Sequence, residues 1–316
     1  MTRLGYQIPN FTYPGVGSDG LFDAVKRQAI EAEQSGFDTV LVMDHFYQLP
    51  MHGAPDNAML ECYTLLAALA QHTERVRLSA LVTGNTYRHP TLLAKIVTAL
   101  DVVSHGRAQL GIGAGWFELE HDSLGFEFGT FTDRFEKLEE ALKILTGMLR
   151  GERPSLDGKW YRVSEAINSP APVRRIPIMI GGAGEKKTLR MVAQYADESN
   201  IICAPDEIPR KLAALAEHCE RLGRDRSEIT VTYQTSAVIA PTKEMAQQDL
   251  EAAVAAIPQL GGRAGSVILG GPDEVRAVYE KVLAAGVDGV TVNLPANGHV
   301  EGRVALLGET LAPLIG

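Results

Sequence analysis

The stretch LSALVTGNTYRHPTLLAKIVTALDVVSHGRAQLGIGAGW, residues 78–116, determines which fold this chain adopts. Its first residues, 78–82, form a short apolar run that is typical of a buried strand, and turn-forming residues follow. Residues 92–103 carry apolar side chains at helical spacing, and residues 109–112 begin a second apolar strand. Glycines at 113 and 115 then let the backbone approach a ligand closely just past the strand end. This pattern predicts one strand–helix–strand unit of a parallel α/β sheet.

The rest of the chain repeats this alternation of apolar strands and amphipathic helices. About eight strands can be read, and this number favours a (β/α)8 TIM barrel over an open doubly wound sheet. Residues 152–172 interrupt the alternation with several prolines and a glycine, so we expect an insertion between strands 4 and 5, in the form of a small hairpin. We therefore expect one domain over residues 1–316. The predicted strands cover residues 3–9, 39–43, 78–82, 109–112, 176–180, 199–202, 228–240 and 289–294.

Composition narrows the class of protein. The 316 residues are 45% hydrophobic and carry a net charge of -9, which argues against general nucleic-acid binding. No run of 18 apolar residues occurs, and the first residues, MTRLGYQIPN, lack the pattern of a signal peptide, so we expect a soluble cytoplasmic protein with no membrane partner. Three scattered cysteines predict no disulfide framework.

Two polar residues, Asp44 and His45, directly follow the apolar run TVLVM. They are therefore expected at the rim of a barrel, where ligands bind in this fold. A rim histidine is available for acid–base chemistry, although a hydrogen-bonded loop histidine is an equally good interpretation. The later motif GIGAGW is not a dinucleotide fingerprint, because the third glycine of that fingerprint would fall on Trp116. A loop that passes beneath a flat ring is the functional interpretation of this motif, and a tight turn is the structural one.

A second glycine-rich loop lies in IPIMIGGAGEKKTLR, where a buried strand precedes Gly181, Gly182 and Gly184. We expect a helix to begin at Glu185, and backbone N–H groups at such a start suit a phosphate. Positive side chains follow within the first turns, although a solvated helix face would look the same. The residues in question are Lys186, Lys187 and Arg190.

The sequence gives less support to metal-dependent catalysis and to acyl transfer. Glu118, His121 and Asp122 lie close together but do not have the spacing of a metal site, so no catalytic metal is predicted. No G-x-S-x-G motif occurs, which disfavours an acyl-transfer hydrolase. Arg88 could contact an anion or form a surface ion pair.

Taken together, these motifs resemble the luciferase-like flavin and deazaflavin oxidoreductases, and most closely the branch that uses coenzyme F420. The resemblance extends over nearly the whole chain. It includes the stretch 78–116 quoted above, and its other motifs are MDHF, FEKLEEALKIL, IMIGGAGEKKTLRMVAQYAD and AGVDGVTVNLP.

The resemblance implies a TIM barrel in which the cofactor ring lies across the barrel mouth. Asp44 and His45 would lie beside the ring as the catalytic residues, and a non-prolyl cis peptide near Leu81 and Val82 would support one ring face. Thr83 and Asn85 would reach its polar edges. The cofactor path would be lined by Gly113, Ala114, Gly115 and Trp116, and its phosphate would be held by Gly181, Gly182, Gly184 and Lys186.

The implied activity is hydride transfer between F420 and a small organic substrate. The alternatives are an FMN-dependent monooxygenase that works with a separate flavin reductase, and a cofactor-binding protein without turnover. F420 carries a phosphate and a polyglutamate tail, so it needs more cationic groups than FMN, and Arg88, Lys186, Lys187 and Arg190 are candidates. Relatives of this kind are often dimers, and we expect a homodimer.

Overall fold

In the computed structural model, which describes residues 2–263 and 265–315, eight parallel strands form a closed barrel. Going around the barrel, the order is β1, β2, β3, β5, β8, β9, β10 and β12. The strands in chain order are β1 (Arg3–Ile8), β2 (Thr39–Val42), β3 (Arg77–Ala80), β4 (Thr83–Gly84), β5 (Ala108–Gly113), β6 (Leu156–Asp157), β7 (Arg162–Val163), β8 (Ile178–Gly181), β9 (Glu198–Ile201), β10 (Thr230–Ile239), β11 (Ile268–Gly270) and β12 (Gly289–Asn293).

Strand β10 closes the barrel because it pairs in parallel with both β9 and β12. In the first pairing Thr230 lies opposite Glu198, and in the second Thr232 lies opposite Gly289. The predicted (β/α)8 barrel is thereby confirmed, because a doubly wound sheet would leave two open edges.

Ten α-helices in the described residues surround the barrel. Helix α1 shows why they pack there, since it buries Leu21, Val25, Ala29 and Ala32 at helical spacing and exposes its other face. Side-chain hydrogen bonds cap several of the helix starts, as in α5, where Thr130 and Asp133 form a reciprocal capping box. The helices are α1 (Leu21–Gln34), α2 (Cys62–Ala70), α3 (Pro90–Val103), α4 (Glu118–Leu124), α5 (Phe131–Leu149), α6 (Thr188–Tyr195), α7 (Ile208–Leu222), α8 (Lys243–Ala256), α9 (Pro272–Ala284) and α10 (Arg303–Leu311).

Four short strands lie outside the regular repeat. Strand β4 continues the line of β3 and pairs with β5, and β11 pairs with the outer end of β10. Strands β6 and β7 form an antiparallel hairpin between α5 and β8, within the segment 152–172.

Three helix predictions need correction. The sequence interpretation missed the short helix α4, and it missed α2, whose apolar residues make it uniformly hydrophobic rather than amphipathic. The helix expected from Glu185 begins three residues later, at Thr188, so the glycine-rich loop is longer than predicted.

The half of the barrel that lies at the amino-terminal ends of the strands is filled with side chains. Buried side chains, among them Leu41, Gln109 and Met179, leave a void of only about 10 Å³ there. A ligand site must therefore lie at the opposite end, where the strands end at their carboxyl termini. Among the described residues, no helix is both long enough and apolar enough to cross a membrane.

Candidate active site

A cavity of about 390 Å³ opens at the carboxyl ends of the barrel strands. Its volume lies within the range of about 300–1,000 Å³ that is typical of small-molecule sites. Each barrel strand or the loop after it contributes to the wall. The lining residues are Gln7, Met43, Asp44, His45, Leu49, Met51, His52, Leu81, Val82, Thr83, Gly84, Tyr87, Gly115, Trp116, Gly181, Gly182, Asn200, Ile202, Gln234, Thr235, Ser236 and Asn293.

The order of the strands divides this wall into two sides. Strands β3, β5 and β8 are neighbours, and their ends carry Leu81, Val82, Gly115 and Gly181, which we call the glycine side. Strands β10, β12 and β1 are neighbours across the barrel, and they carry three residues that we call the amide side: Gln234, Asn293 and Gln7. Strand β2 lies between the two sides, so His45 stands at their boundary.

The glycine side is built around Val82. The structure contains a non-prolyl cis peptide bond between Leu81 and Val82, at the place that the family resemblance implies. A Cβ atom at Gly181 would lie 2.8 Å from Val82 Cγ1, and one at Gly113 would lie 2.9 Å from Val82 Cγ2. Both positions therefore need glycine so that Val82 can project between β5 and β8.

His45 is held by a buried carboxylate. Its Nδ1 atom lies 2.9 Å from Oε2 of Glu120, a residue of α4 whose side chain is fully buried. An ionised carboxylate only accepts hydrogen bonds, so Nδ1 carries the proton and Nε2 is left with a lone pair. The rings of Trp116 and Phe117 each lie 5.8 Å from the His45 ring and restrict its orientation.

The surroundings of Glu120 keep it ionised. Burial by itself raises the pKa of this carboxyl, but hydrogen bonds outweigh that effect, and the pKa is lowered. The donors are His45, the N–H groups of Phe46 and Tyr47, and the hydroxyl of Tyr87. Because the Glu120 carboxylate accepts this many hydrogen bonds, its position is fixed. Its hydrogen bond with His45 therefore fixes the position of the imidazole ring as well.

Asp44, the residue before His45 in the loop after β2, is paired with Arg88. Its two oxygens accept from the Arg88 guanidinium at 2.7 and 2.9 Å, and Oδ2 also accepts from the N–H of Gly84 at 3.1 Å. Burial raises the pKa of Asp44, and Arg88 opposes that rise. Arg88 in turn bonds Glu61 at 2.7 Å and lies 5.1 Å from the ring of Tyr63. The structure thus shows that Arg88, which the sequence left open as an anion contact or a surface ion pair, is paired with the carboxylates of Asp44 and Glu61.

The structure describes all of the site residues predicted from the sequence and brings most of them to one cavity. Those that line it are Asp44, His45, Leu81, Val82, Thr83, Gly115, Trp116, Gly181 and Gly182. Those that do not line it are Asn85, Gly113, Ala114, Gly184 and Lys186. Asn85 is buried and faces Tyr161 instead, with 3.5 Å between its Nδ2 atom and the Tyr161 hydroxyl.

The cationic candidates that follow the glycine-rich loop differ in their surroundings. Lys186 is exposed. Lys187 lies 5.1 Å from the ring of Phe131, and Arg190 donates to both oxygens of Glu139. Arg190 is therefore engaged in an ion pair within the protein.

Sequence reasoning missed several residues of the site. Glu120 gave no signal because other charged and polar residues surround it in ELEHDS, and only the folded helix shows which of them turns inward. The amide side did leave a signal, since Gln7, Gln234 and Asn293 are amides near the ends of strands, and Asn200 at the end of β9 is a fourth amide of this kind.

The cluster near His121 is structural. His121 is fully buried, its Nδ1 lies 2.8 Å from the Phe117 carbonyl oxygen, and its Nε2 lies 2.7 Å from the Thr86 hydroxyl. No group of three or more histidine, cysteine or acidic residues suited to a metal occurs in the part of the chain that the structure describes. The absence of a catalytic metal stays a prediction.

A closed parallel barrel with a cavity at the carboxyl ends of its strands, walled by glycines on one side and bordered by a histidine–carboxylate pair, places this chain among the TIM-barrel enzymes. Within that class, the chain belongs to the luciferase-like monooxygenase family, whose model matches residues 2–289. The resemblance found in the sequence is thereby confirmed.

The chain is similar to three proteins of known name. An F420-dependent glucose-6-phosphate dehydrogenase of Microbacterium testaceum is 32% identical over 250 residues, which cover 77% of this chain and 70% of that protein. An F420-dependent secondary alcohol dehydrogenase, solved in complex with an F420–acetone adduct, shares the fold with a TM-score of 0.82 at 20% identity, over 100% of this chain and 99% of that one. A monooxygenase from Streptomyces bottropensis shares it with a TM-score of 0.81 at 19% identity, over 99% and 100%.

Proposed function

We propose that this protein is an F420-dependent oxidoreductase of the luciferase-like family that acts on a small organic molecule in the barrel mouth. The observation that carries the proposal is the His45–Glu120 pair, which places an acid–base group at the edge of a cofactor-sized cavity. The names of the relatives support the choice of cofactor, since the sequence relative and one of the two structural neighbours described above use F420.

The cavity fits a flat ring. On the glycine side, Val82 projects between Gly113 and Gly181, where any Cβ atom would displace it, so the wall beside the cis peptide is both apolar and tightly fixed. We assign the cofactor ring to this side and its phosphate to the loop of Gly181, Gly182 and Gly184, with Lys186 beside it. Gly182 supports this assignment, because its φ of 115° turns the backbone in a way that other residues rarely adopt. F420 bound there supplies a two-electron hydride acceptor or donor.

His45 handles the proton in this scheme. An alcohol that loses a hydride from carbon must also lose its hydroxyl proton as the carbonyl forms. Nε2 of His45 is the acceptor, since Nδ1 is already protonated against Glu120. In the reverse direction the same atom returns the proton to the carbonyl oxygen.

Asp44 has a different role in this scheme. Both of its oxygens are bonded to Arg88, so it is a positioning residue that fixes the loop after β2. This role differs from the catalytic one that the family resemblance implied.

Replacing Gly181 by alanine should weaken F420 binding by at least about 10-fold. The new Cβ would lie 2.8 and 3.1 Å from the two methyl groups of Val82 and force this residue towards the ring site. Fluorescence titration with F420 measures the effect. Gly262→Ala is the matched control, because no atom lies within 4 Å of its Cβ position. The double variant Gly181→Ala/Val82→Ala should recover most of the affinity, and no recovery would show that the glycine side is not the ring wall.

The Glu120→Gln variant should lower kcat by about 10- to 100-fold, part of the 10²- to 10⁴-fold that a positioned acid–base group contributes. An amide has one acceptor oxygen where the carboxylate has two, so it cannot hold His45, the N–H groups of Phe46 and Tyr47 and the Tyr87 hydroxyl in place together. Initial rates measure the effect, with the exposed Glu118→Gln as control. A kcat equal to that of the control would contradict the role of Glu120 in positioning His45.

The cofactor assignment is tested by titrating the protein with F420 and with FMN, in oxidised and reduced forms, while following ring fluorescence. Tight F420 binding and weak FMN binding are expected. The reverse preference, together with oxygen uptake, would support a two-component monooxygenase and would call for a separate flavin reductase.

The cytoplasmic location and the homodimer stay predictions. Light scattering of the purified protein measures the oligomeric state, and a mass near twice 34.1 kDa is expected.

A further inference from the structure

The amide side of the cavity presents hydrogen-bond acceptors that lack partners. Oε1 of Gln7 accepts from Nε2 of Gln234 at 2.7 Å and from Nδ2 of Asn293 at 2.8 Å. These two bonds fix the direction of both amides. The oxygens at their other ends, Gln234 Oε1 and Asn293 Oδ1, are buried and have no hydrogen-bond partner in the structure.

Buried acceptors without partners are costly, at about 1–3 kcal/mol each, unless a ligand supplies the donor. Both residues line the cavity, and Asn293 is only 4% exposed. A molecule bound on the amide side would therefore recover this free energy by donating hydrogen bonds from hydroxyl groups. An anionic oxygen donates nothing and would meet two more negative oxygens.

The charges around the cavity also favour an uncharged substrate over an anionic one. No lysine or arginine side chain that the structure describes is among the cavity-lining residues, whose ionisable members are Asp44, His45, His52 and Tyr87. Glu120 lies directly behind His45 and is ionised. A phosphate or carboxylate on the substrate would thus be buried near Glu120 without a cavity-lining guanidinium or ammonium group, which such anions require, because the guanidinium of Arg88 is already paired with Asp44 and Glu61.

Apolar side chains form much of the remaining wall, beside polar residues such as Asn200, Thr235 and Ser236. Met43, Leu49 and Met51 follow β2, and Ile202 follows β9, where it is 60% exposed at the cavity. An apolar molecular body would bury this surface.

We propose that the substrate is an uncharged hydroxy compound, or the corresponding ketone, with an apolar body, and that Gln234 and Asn293 bind its hydroxyl groups. This proposal rests on the proposed F420-dependent activity and specifies its substrate. It separates this chain from its sequence relative, which is named for a sugar phosphate.

The test uses the protein loaded with F420 and compares cyclohexane-1,2-diol and cyclohexanol with glucose 6-phosphate. Binding is measured by the shift in the melting temperature of the loaded protein, and turnover by F420 reduction. The neutral compounds should raise the melting temperature and reduce F420, with kcat/KM at least about 100-fold above that of the phosphate ester. Equal or better binding and turnover of glucose 6-phosphate would overturn the proposal, and so would an F420-loaded protein to which neither neutral compound binds.

Variants test the two parts of the proposal separately. Asn293→Leu and Gln234→Met remove the unpartnered oxygens and should lower kcat/KM for the diol by about 10-fold, as one lost hydrogen bond predicts, while the Kd of F420 changes less than 2-fold. An unchanged kcat/KM in both variants would overturn the role of the amides.

The second part concerns charge. Ile202→Lys places a cation at the cavity and should create binding of glucose 6-phosphate that the original protein lacks. Val173→Lys is the matched control, since it adds the same charge at an exposed apolar residue that does not line the cavity. Phosphate-ester binding that is equal in all three proteins would contradict the account.

Failure of this proposal and failure of the proposed function give different results. A protein that does not bind F420 in the preceding titration contradicts the proposed function. A protein that binds F420 but prefers the phosphate ester contradicts only the substrate assignment.

Discussion

His45→Ala should lower kcat by about 10²- to 10⁴-fold while the Kd of F420 changes by less than about 3-fold. The loss is large because Nε2 of His45 is the proposed proton acceptor at the boundary between the two sides of the cavity. The effect on cofactor affinity should be small because the glycine side, to which the ring is assigned, is formed by β3, β5 and β8. His45 follows β2, which is not part of that side. Steady-state rates and fluorescence titration on the same preparation measure the two effects.

The control for this variant is His72→Ala, which removes an exposed histidine beyond the end of α2 that does not line the cavity. It should retain full activity. If His45→Ala kept its kcat and lost F420 affinity instead, His45 would be a cofactor contact and not the acid–base group.

Arg88→Met should lower the free energy of unfolding by about 3–5 kcal/mol, the cost of leaving one partner of a buried ion pair uncompensated. Asp44 is 2% exposed, and both of its oxygens depend on Arg88, while methionine keeps much of the aliphatic volume of arginine. Urea unfolding followed by circular dichroism measures the change. Arg221→Met is the control, because its ion pair with Glu217 is exposed and should contribute no more than about 1 kcal/mol.

This variant should also show a characteristic pH dependence. Burial raises the pKa of Asp44, and without Arg88 nothing comparable opposes that rise. A carboxyl whose pKa is raised in the folded state contributes its stability at low pH and loses it as pH rises through the folded pKa. The deficit of Arg88→Met should therefore shrink as the pH falls towards 4. The double variant Asp44→Asn/Arg88→Met should remove most of this pH dependence, and an unchanged deficit at low pH would contradict an uncompensated Asp44 charge.

The barrel was predictable because its strands are buried on both faces. Runs such as VLVM and IPIMI are apolar throughout, and glycine or polar residues mark their ends, so the strands and the rim positions followed from the sequence. Helix α2 was not predictable in the same way, since an apolar segment without amphipathic spacing does not distinguish a buried helix from a strand.

The site was predictable only where its residues lie near a strand end. Asp44, His45 and Gly181 meet that condition, and they line the cavity. Glu120 reaches His45 from a helix 75 residues later in the chain, and only the folded structure shows that approach. The pairing of Asp44 with Arg88 is similarly long-range, which is why Arg88 could be interpreted equally well as an anion contact.

The most direct test of the proposed function follows one hydrogen atom. The protein is incubated anaerobically with oxidised F420 and cyclohexanol that carries deuterium on the carbinol carbon, and the reduced cofactor is analysed by mass spectrometry. The account predicts formation of cyclohexanone and one deuterium per reduced F420. Unlabelled F420 recovered in its oxidised form, with product appearing only when oxygen and reduced FMN are supplied, would contradict it.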